Sequence, residues 1–270
     1  MNKVDIIKRN NVTILGKGEK TLLFGHGFGC EKNMWRYITP AFKKEYRIVL
    51  FDYVGSGGSD LNHYDSSKYS TLDGYKQDVL DIVEALNLKE VIFVGHSVSS
   101  MIGLLSSLEK PDSFEKLIMI GPSPCYLNTK DGYKGGFDES DVNHLLEMME
   151  MNFSGWASYM APIGMHQEKD TVQTKELEQT FKANNPNMAR EFAEATFFSD
   201  CRKKLSLSKI PTLIMQCSED SIVPLAIGEY LNEHLENSVM HVMNAKGHYP
   251  HISNPEETIG MIKSYLNDGV

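Results

Sequence analysis

Short apolar runs rich in β-branched residues recur along the chain, separated by longer stretches with apolar residues at helical spacing. Thr21–Gly25, Arg47–Asp52, Val91–Gly95, Leu117–Gly121, Thr212–Cys217 and Val239–Met243 read as strands. Their near-continuous apolar character is that of a sheet buried on both faces. Between them, Met34–Lys44, Thr71–Leu86, Ser97–Glu109, Leu225–Leu235 and Pro255–Leu266 read as helices, with Leu72, Val79, Ile82, Val83 and Leu86 on one apolar stripe. Alternating strands and helices predict a mostly parallel, doubly wound α/β sheet with right-handed crossovers.

The alternation breaks once. Between Pro122 and Pro211 the pattern is helical, over Asp138–Met151, Gly155–Met160, Thr171–Ala183 and Asn187–Phe198. Ligands of open α/β sheets bind at the carboxyl ends of the strands, and a helical insertion there acts as a lid. The expected organisation is a core of residues 1–122 and 199–270, with a helical cap at 123–198.

Composition narrows the function classes. The chain has 270 residues, 41% hydrophobic and 23% charged, and a formal net charge of −9. That size fits one domain with an insertion. A chain this acidic lacks the footprint for nucleic acid or an anionic membrane surface. Cys30, Cys125, Cys201 and Cys217 are widely spaced with no CxxC pair, which argues against structural zinc and gives no disulfide framework. The first residues hold no apolar signal core, and no apolar run approaches membrane-spanning length. The expectation is a reduced, cytoplasmic protein with no metal and no cofactor.

The most informative segment is Val91-Ile-Phe-Val-Gly-His-Ser-Val-Ser-Ser-Met-Ile-Gly-Leu-Leu105. An apolar strand ends in a sharp turn and passes straight into a helix, which raises the Ser97 hydroxyl above the sheet edge. The pattern is Gly-x-Ser-x-Gly, with Ser99 in the last position. Serine is the next-smallest residue that still admits close helix packing. A serine ahead of a helix is also a common cap; the strand–turn–helix context favours the nucleophile.

A serine hydroxyl needs an adjacent base, and nine histidines are available. His248 follows Gly247 on the loop after the last predicted strand, which ends beside the elbow in a parallel sheet. His251 is its competitor, further from the strand end. His96 adjoins Ser97, but neighbouring side chains on an elbow point apart, which places it in the floor of the site. His26, in Gly25-His-Gly-Phe28, has a structural or oxyanion-loop role, while His63, His144, His166, His234 and His241 read as surface or core residues. The imidazole needs a carboxylate to fix its tautomer. Asp220 follows the strand Thr212–Cys217 and gives the chain order Ser, Asp, His expected around such an elbow. Glu219 is the fallback. The other acid position, after Leu117–Gly121, reads Pro122-Ser-Pro-Cys125 and holds no carboxylate.

A tetrahedral intermediate needs preorganised donors. The Val98 N–H, at the helix N-terminus, is one. The Phe28 N–H is the other, on a loop where Gly25, Gly27 and Gly29 let backbone approach substrate. The glycine-rich stretch Phe51–Asp60 lacks the lysine of a P-loop and the helix start of a dinucleotide fingerprint. It reads as a turn in the site wall.

Together these residues resemble the α/β-hydrolase family, and more narrowly the RsbQ-like group that includes plant karrikin and strigolactone receptors. The narrower resemblance lies in Phe51-Asp-Tyr-Val-Gly-Ser-Gly57, Gly95-His-Ser-Val98, Gly121-Pro-Ser-Pro-Cys-Tyr-Leu-Asn128, Gly135-Gly-Phe137, Leu146-Glu-Met-Met-Glu150, Gly155-Trp-Ala157 and Phe197-Phe-Ser-Asp200. It implies an α/β-hydrolase fold whose helical cap is inserted after the sixth strand, with four helices over a small hydrophobic pocket, and a Ser-His-Asp triad. The implied lining is Phe28, Phe137, Trp156, Met160, Phe197, Phe198 and Val223; Met148, Met149 and Met151 read equally well as core of the lid. The implied role lies upstream of a general stress sigma factor, beside a PAS-domain phosphatase of the RsbP type. RsbQ-like sequences carry glycine where this chain has Ser99.

An aromatic pocket with few polar groups suits a small hydrophobic ester or lactone. The leading expectation is a serine hydrolase that works in signalling. The alternative is a metabolic carboxylesterase or carbon–carbon bond hydrolase with no partner, and a third is a non-catalytic receptor. Haloalkane dehalogenases and epoxide hydrolases are disfavoured, because their nucleophile is an aspartate. A cofactor-free oxygenase shares the triad.

Overall fold

The computed structural model describes residues 3–267. Residues 1–2 and 268–270, which the expected core limits include, lie outside the described residues. The chain runs α1 (Lys3–Arg9), β1 (Thr13–Leu15), β2 (Thr21–Gly25), β3 (Arg47–Leu50), α2 (Leu72–Ala85), β4 (Val91–His96), α3 (Val98–Glu109) and β5 (Phe114–Ile120). Four helices follow: α4 (Glu139–Met151), α5 (Phe153–Met165), α6 (Val172–Lys182) and α7 (Pro186–Phe197). The chain then returns through β6 (Thr212–Glu219), α8 (Leu225–His234), β7 (Ser238–Lys246), α9 (Pro250–Ser253) and α10 (Pro255–Asn267).

Among the described residues, one seven-stranded sheet has the order β1-β3-β2-β4-β5-β6-β7. β1 is antiparallel to β3, and the remaining pairs are parallel. Every residue of β2 and β4 is buried, as expected for central strands covered by helices on both faces. Edge strand β7 is mostly exposed or half-buried, so its apolar run reads shorter than the strand. β1 is a three-residue edge strand with no buried position and leaves no apolar signature.

Three expectations change. The helical insertion follows the fifth strand in chain order, not a sixth, because only β1 to β5 precede it among the described residues; the segment ahead of β1 is a helix that Arg9 ties to Asp78 and Asp81 of α2. Met34–Lys44 is not an α-helix but two 3-10 segments, Lys32–Tyr37 and Thr39–Ala41. Pro40 removes a helix donor in the middle of that run and disfavours the α conformation before it. The helix read as Gly155–Met160 starts at Phe153, where Asn152 accepts from the Gly155 N–H, and runs on through Pro162 to Met165.

Candidate active site

The parallel register brings the carboxyl ends of β2, β4, β6 and β7 to one edge, with Gly25 beside Gly95 and Gly95 beside Met119. The turn after β4 is tight. Ser97 adopts φ 56° and ψ −125°, a conformation that strains any residue with a Cβ and persists only where its surroundings enforce it. The Ser97 N–H donates to the Ile120 carbonyl at 2.8 Å, which fastens the elbow to β5. A Cβ at Gly95 would meet the Ser99 and Ser100 backbone at 2.7 Å, so glycine is required there.

Ser97 Oγ lies 2.8 Å from His248 Nε2, and His248 Nδ1 lies 2.7 Å from Asp220 Oδ2. Asp220 Oδ1 accepts from the backbone N–H groups of Ile222 and Val223 at 2.8 and 3.1 Å. The carboxylate is therefore anchored on one oxygen and directed at the imidazole with the other. Gly121, just before the empty acid position, has φ 58°, and a Cβ there would come within 3.1 Å of the His248 ring. The His248 N–H donates to the Gly164 carbonyl of α5 at 2.6 Å, linking the histidine loop to the helical insertion.

The competitors drop out on geometry. His251 is buried against Trp35 and His96, with no hydrogen-bond partner on either ring nitrogen. Burial, reinforced by nearby His248, pushes its pKa down to about 3. Glu219 is exposed and pairs with Lys246 at 2.6 Å. His96 does not form the cavity floor. It is fully buried, and its Nε2 donates to the His248 carbonyl at 2.7 Å. Burial, with His251 and His248 nearby, holds its ring neutral. It braces the histidine loop from below.

Val98 is the first residue of α3. Its N–H therefore belongs to the helix end that lacks intrahelical acceptors and favours negative charge. Phe28 lies on the loop after β2, and both Phe28 and Ser97, the residue before Val98, line one cavity.

That cavity is small, about 30 Å³, and covered by the four-helix insertion: Leu145, Trp156, Met160, Phe181, Thr196 and Phe197 line it, with Tyr126 from the segment between β5 and α4 and Ile222, His248 and Tyr249 from the core side. Of the expected lining, Phe28, Trp156, Met160 and Phe197 are present. Phe137 stands behind Phe197, with ring centroids 5.5 Å apart. Phe198 turns outward and is 39% exposed, since consecutive helical side chains point about 100° apart. It lines a surface groove of about 830 Å³ with Leu72 and Leu105, which contains none of Ser97, Asp220 or His248. Val223 is completely buried, and Ile222 takes its place.

The lining residues missed in the sequence include Tyr126 and Phe181. Tyr126 lies within the Gly121–Asn128 block, and its hydroxyl is 3.2 Å from Ser97 Oγ. Two buried polar atoms on lining residues, Trp156 Nε1 and Thr196 Oγ1, have no hydrogen-bond partner.

The model of the alpha/beta hydrolase fold matches residues 20–255. The chain is 37% identical over 262 residues to the karrikin insensitive 2 receptor CA of Petunia hybrida, covering 97% of each. It is 34% identical over 267 residues to a strigolactone esterase of Arabidopsis thaliana, covering 98% of this chain and 99% of the relative. Among solved structures, a hydrolase from Oleispira antarctica superposes with a TM-score of 0.95 at 39% identity, covering 100% of this chain and 98% of that one. Ser97 on its strained elbow, the alternating core and these whole-length likenesses agree: the chain belongs to the α/β hydrolase fold family.

Proposed function

We propose that this chain is a serine hydrolase acting on a small apolar ester or lactone, with Ser97 as nucleophile, His248 as base and Asp220 as its orienting acid. The observation that carries the reading is the continuous Ser97–His248–Asp220 hydrogen-bond chain, at 2.8 and 2.7 Å, on a strained elbow. His248 Nε2 takes the Ser97 proton as Oγ attacks the carbonyl carbon. The Val98 and Phe28 N–H groups hold the resulting oxyanion. On collapse, the imidazolium returns the proton to the departing alkoxide, which stays tethered to the acyl group when the substrate is a lactone. Water, deprotonated by His248, then attacks the acyl carbon and releases Ser97.

The cavity supports the substrate class. Its walls are mainly aromatic and aliphatic. Its volume of about 30 Å³ is room for about two waters, so residues 123–198 act as a cap that opens for substrate. The test is intact-mass spectrometry after incubation with p-nitrophenyl acetate or a fluorophosphonate. A single adduct on Ser97, lost in Ser97→Ala, is expected; no adduct on the wild-type protein overturns the reading.

The finer role is signalling: an RsbQ-like positive regulator of a general stress sigma factor, working with a PAS-domain phosphatase of the RsbP type. Its support is the Gly121–Asn128 and Phe197–Asp200 blocks, together with relatives named as receptors. Relatives named as esterases favour a metabolic carboxylesterase as the second reading. A sigma-factor reporter separates the two. Wild type with the phosphatase activates it, and Ser97→Ala does not; a reporter indifferent to this protein leaves the metabolic reading.

A further inference from the structure

Ser99 closes the elbow motif at a position where glycine is usual, and its side chain is committed. The residue is completely buried. Its Oγ donates to the His26 carbonyl and lies 2.8 Å from the Tyr53 hydroxyl. With the serine proton given to His26, Tyr53 is the donor to Ser99. Burial pushes the Tyr53 hydroxyl pKa far up, so that proton is in place. A Cβ on Gly25 would come within 2.9 Å of the Tyr53 hydroxyl and 3.1 Å of Ser99 Oγ. The bare backbone there leaves room for both hydroxyls.

His26 is held from a second side. Its Nε2 accepts from the Tyr53 N–H at 3.2 Å, and its Nδ1 donates to the Gly27 carbonyl at 2.9 Å. One nitrogen accepting and the other donating is the pattern of a neutral imidazole, and burial keeps it neutral. The Gly27 carbonyl also accepts from the Cys30 N–H at 3.2 Å. In a trans peptide the carbonyl and the following N–H point in opposite directions. Fixing the Gly27 carbonyl therefore fixes the direction of the Phe28 N–H.

We propose that Ser99 is a positioning residue: its hydroxyl bolts helix α3, which carries the Val98 N–H, to the His26–Phe28 loop, which carries the Phe28 N–H. It thereby sets the spacing of the two donors. The proposal rests on the assignment of those two amides as the oxyanion hole. Such donors act by being aimed beforehand at the oxygen that forms in the transition state. Loosening one against the other leaves the apolar contacts of the bound substrate untouched, and weakens only what the transition state gains.

The test compares wild type with Ser99→Ala and Ser99→Gly, the second restoring the usual motif residue. Each is assayed with p-nitrophenyl acetate, with a short alkyl trifluoromethyl ketone that forms a hemiketal oxyanion on Ser97, and with the matching alcohol that forms none. The expected result is kcat lower by about tenfold, KM unchanged, ketone affinity weaker by about tenfold and alcohol affinity unchanged. Tyr53→Phe, which keeps the Ser99–His26 bond, should lose roughly threefold or less. Ketone and alcohol weakening together, or neither changing while the melting temperature falls, would reduce Ser99 to packing and overturn the proposal. A wild-type protein that shows no hemiketal by fluorine NMR overturns the hydrolase reading itself.

Discussion

The Tyr126 hydroxyl stands 3.2 Å from Ser97 Oγ, so the proposed nucleophile is flanked by a phenol as well as by the His248 imidazole. With the Ser97 proton directed to His248, Tyr126 is the donor in this pair. Burial pushes its hydroxyl pKa far up, so it never competes as a base.

As Oγ attacks, the Tyr126 hydroxyl is expected to keep donating to Oγ or to turn to an oxygen of the bound substrate. A neutral hydrogen bond of this kind is worth about 1 kcal/mol. Tyr126→Phe should therefore lower kcat/KM about fivefold, measured with a p-nitrophenyl ester, while Ser97 still reacts with a fluorophosphonate. A loss near a thousandfold would instead make Tyr126 a proton-transfer partner.

Asp220→Asn probes the tautomer. Oδ1 would remain the acceptor for Ile222 and Val223, which leaves the amide NH2 facing His248 Nδ1. The imidazole must then accept at Nδ1 and carry its proton at Nε2, where it cannot take the proton of Ser97. The expected fall in kcat is about 10⁴-fold with little change in melting temperature. Retention of more than about a tenth of the activity would show that Asp220 merely packs.

What the sequence reveals and what it hides follow from geometry. The elbow, the histidine and the acid are legible because a parallel sheet converts three separate strand ends into one place. The elbow strand β4 and the central strand β2 are legible because every residue in them is buried. The pocket is less so. Phe197 and Phe198 are chemically alike in the sequence, and only the helical phase of α7 decides that one lines the cavity while the other faces outward. Ile222 and Val223 differ in the same way within a turn ordered by Asp220. The role of Ser99 is not legible in the motif, because its partners His26 and Tyr53 are remote in sequence.

Phe181 closes the cavity from α6, its ring 5.2 Å from that of Trp156. Truncating it should enlarge the pocket on that side. Phe181→Ala is expected to raise the preference for hexanoyl over acetyl p-nitrophenyl esters by about tenfold in kcat/KM, roughly what one methylene is worth in an apolar pocket. Loss of a buried phenyl should also destabilise the protein by about 3 kcal/mol. Urea titration reads the second effect and ester competition the first. An unchanged chain-length profile would place the selectivity elsewhere.

The buried histidines make stability depend on pH in a direction opposite to that of a paired histidine. His26, His96 and His251 are all completely buried, and burial lowers the pKa of each. For His251 the folded value is about 3, against about 6.5 in an unfolded chain. Below pH 6.5 the unfolded state takes up a proton that the folded state refuses, so the unfolded state binds more protons and stability falls as pH falls. Above that pH the residue makes no difference. At pH 5 the loss from His251 alone is about 2 kcal/mol, from 1.36 kcal/mol for each unit between the unfolded value and the solution pH. Because neither ring nitrogen of His251 has a hydrogen-bond partner, His251→Phe sacrifices no hydrogen bond. Urea denaturation at pH 7.5 and pH 5.0 should show the variant losing about 2 kcal/mol less than wild type between the two conditions. Equal losses in both proteins would mean that His251 gains its proton in the folded state as readily as in the unfolded one.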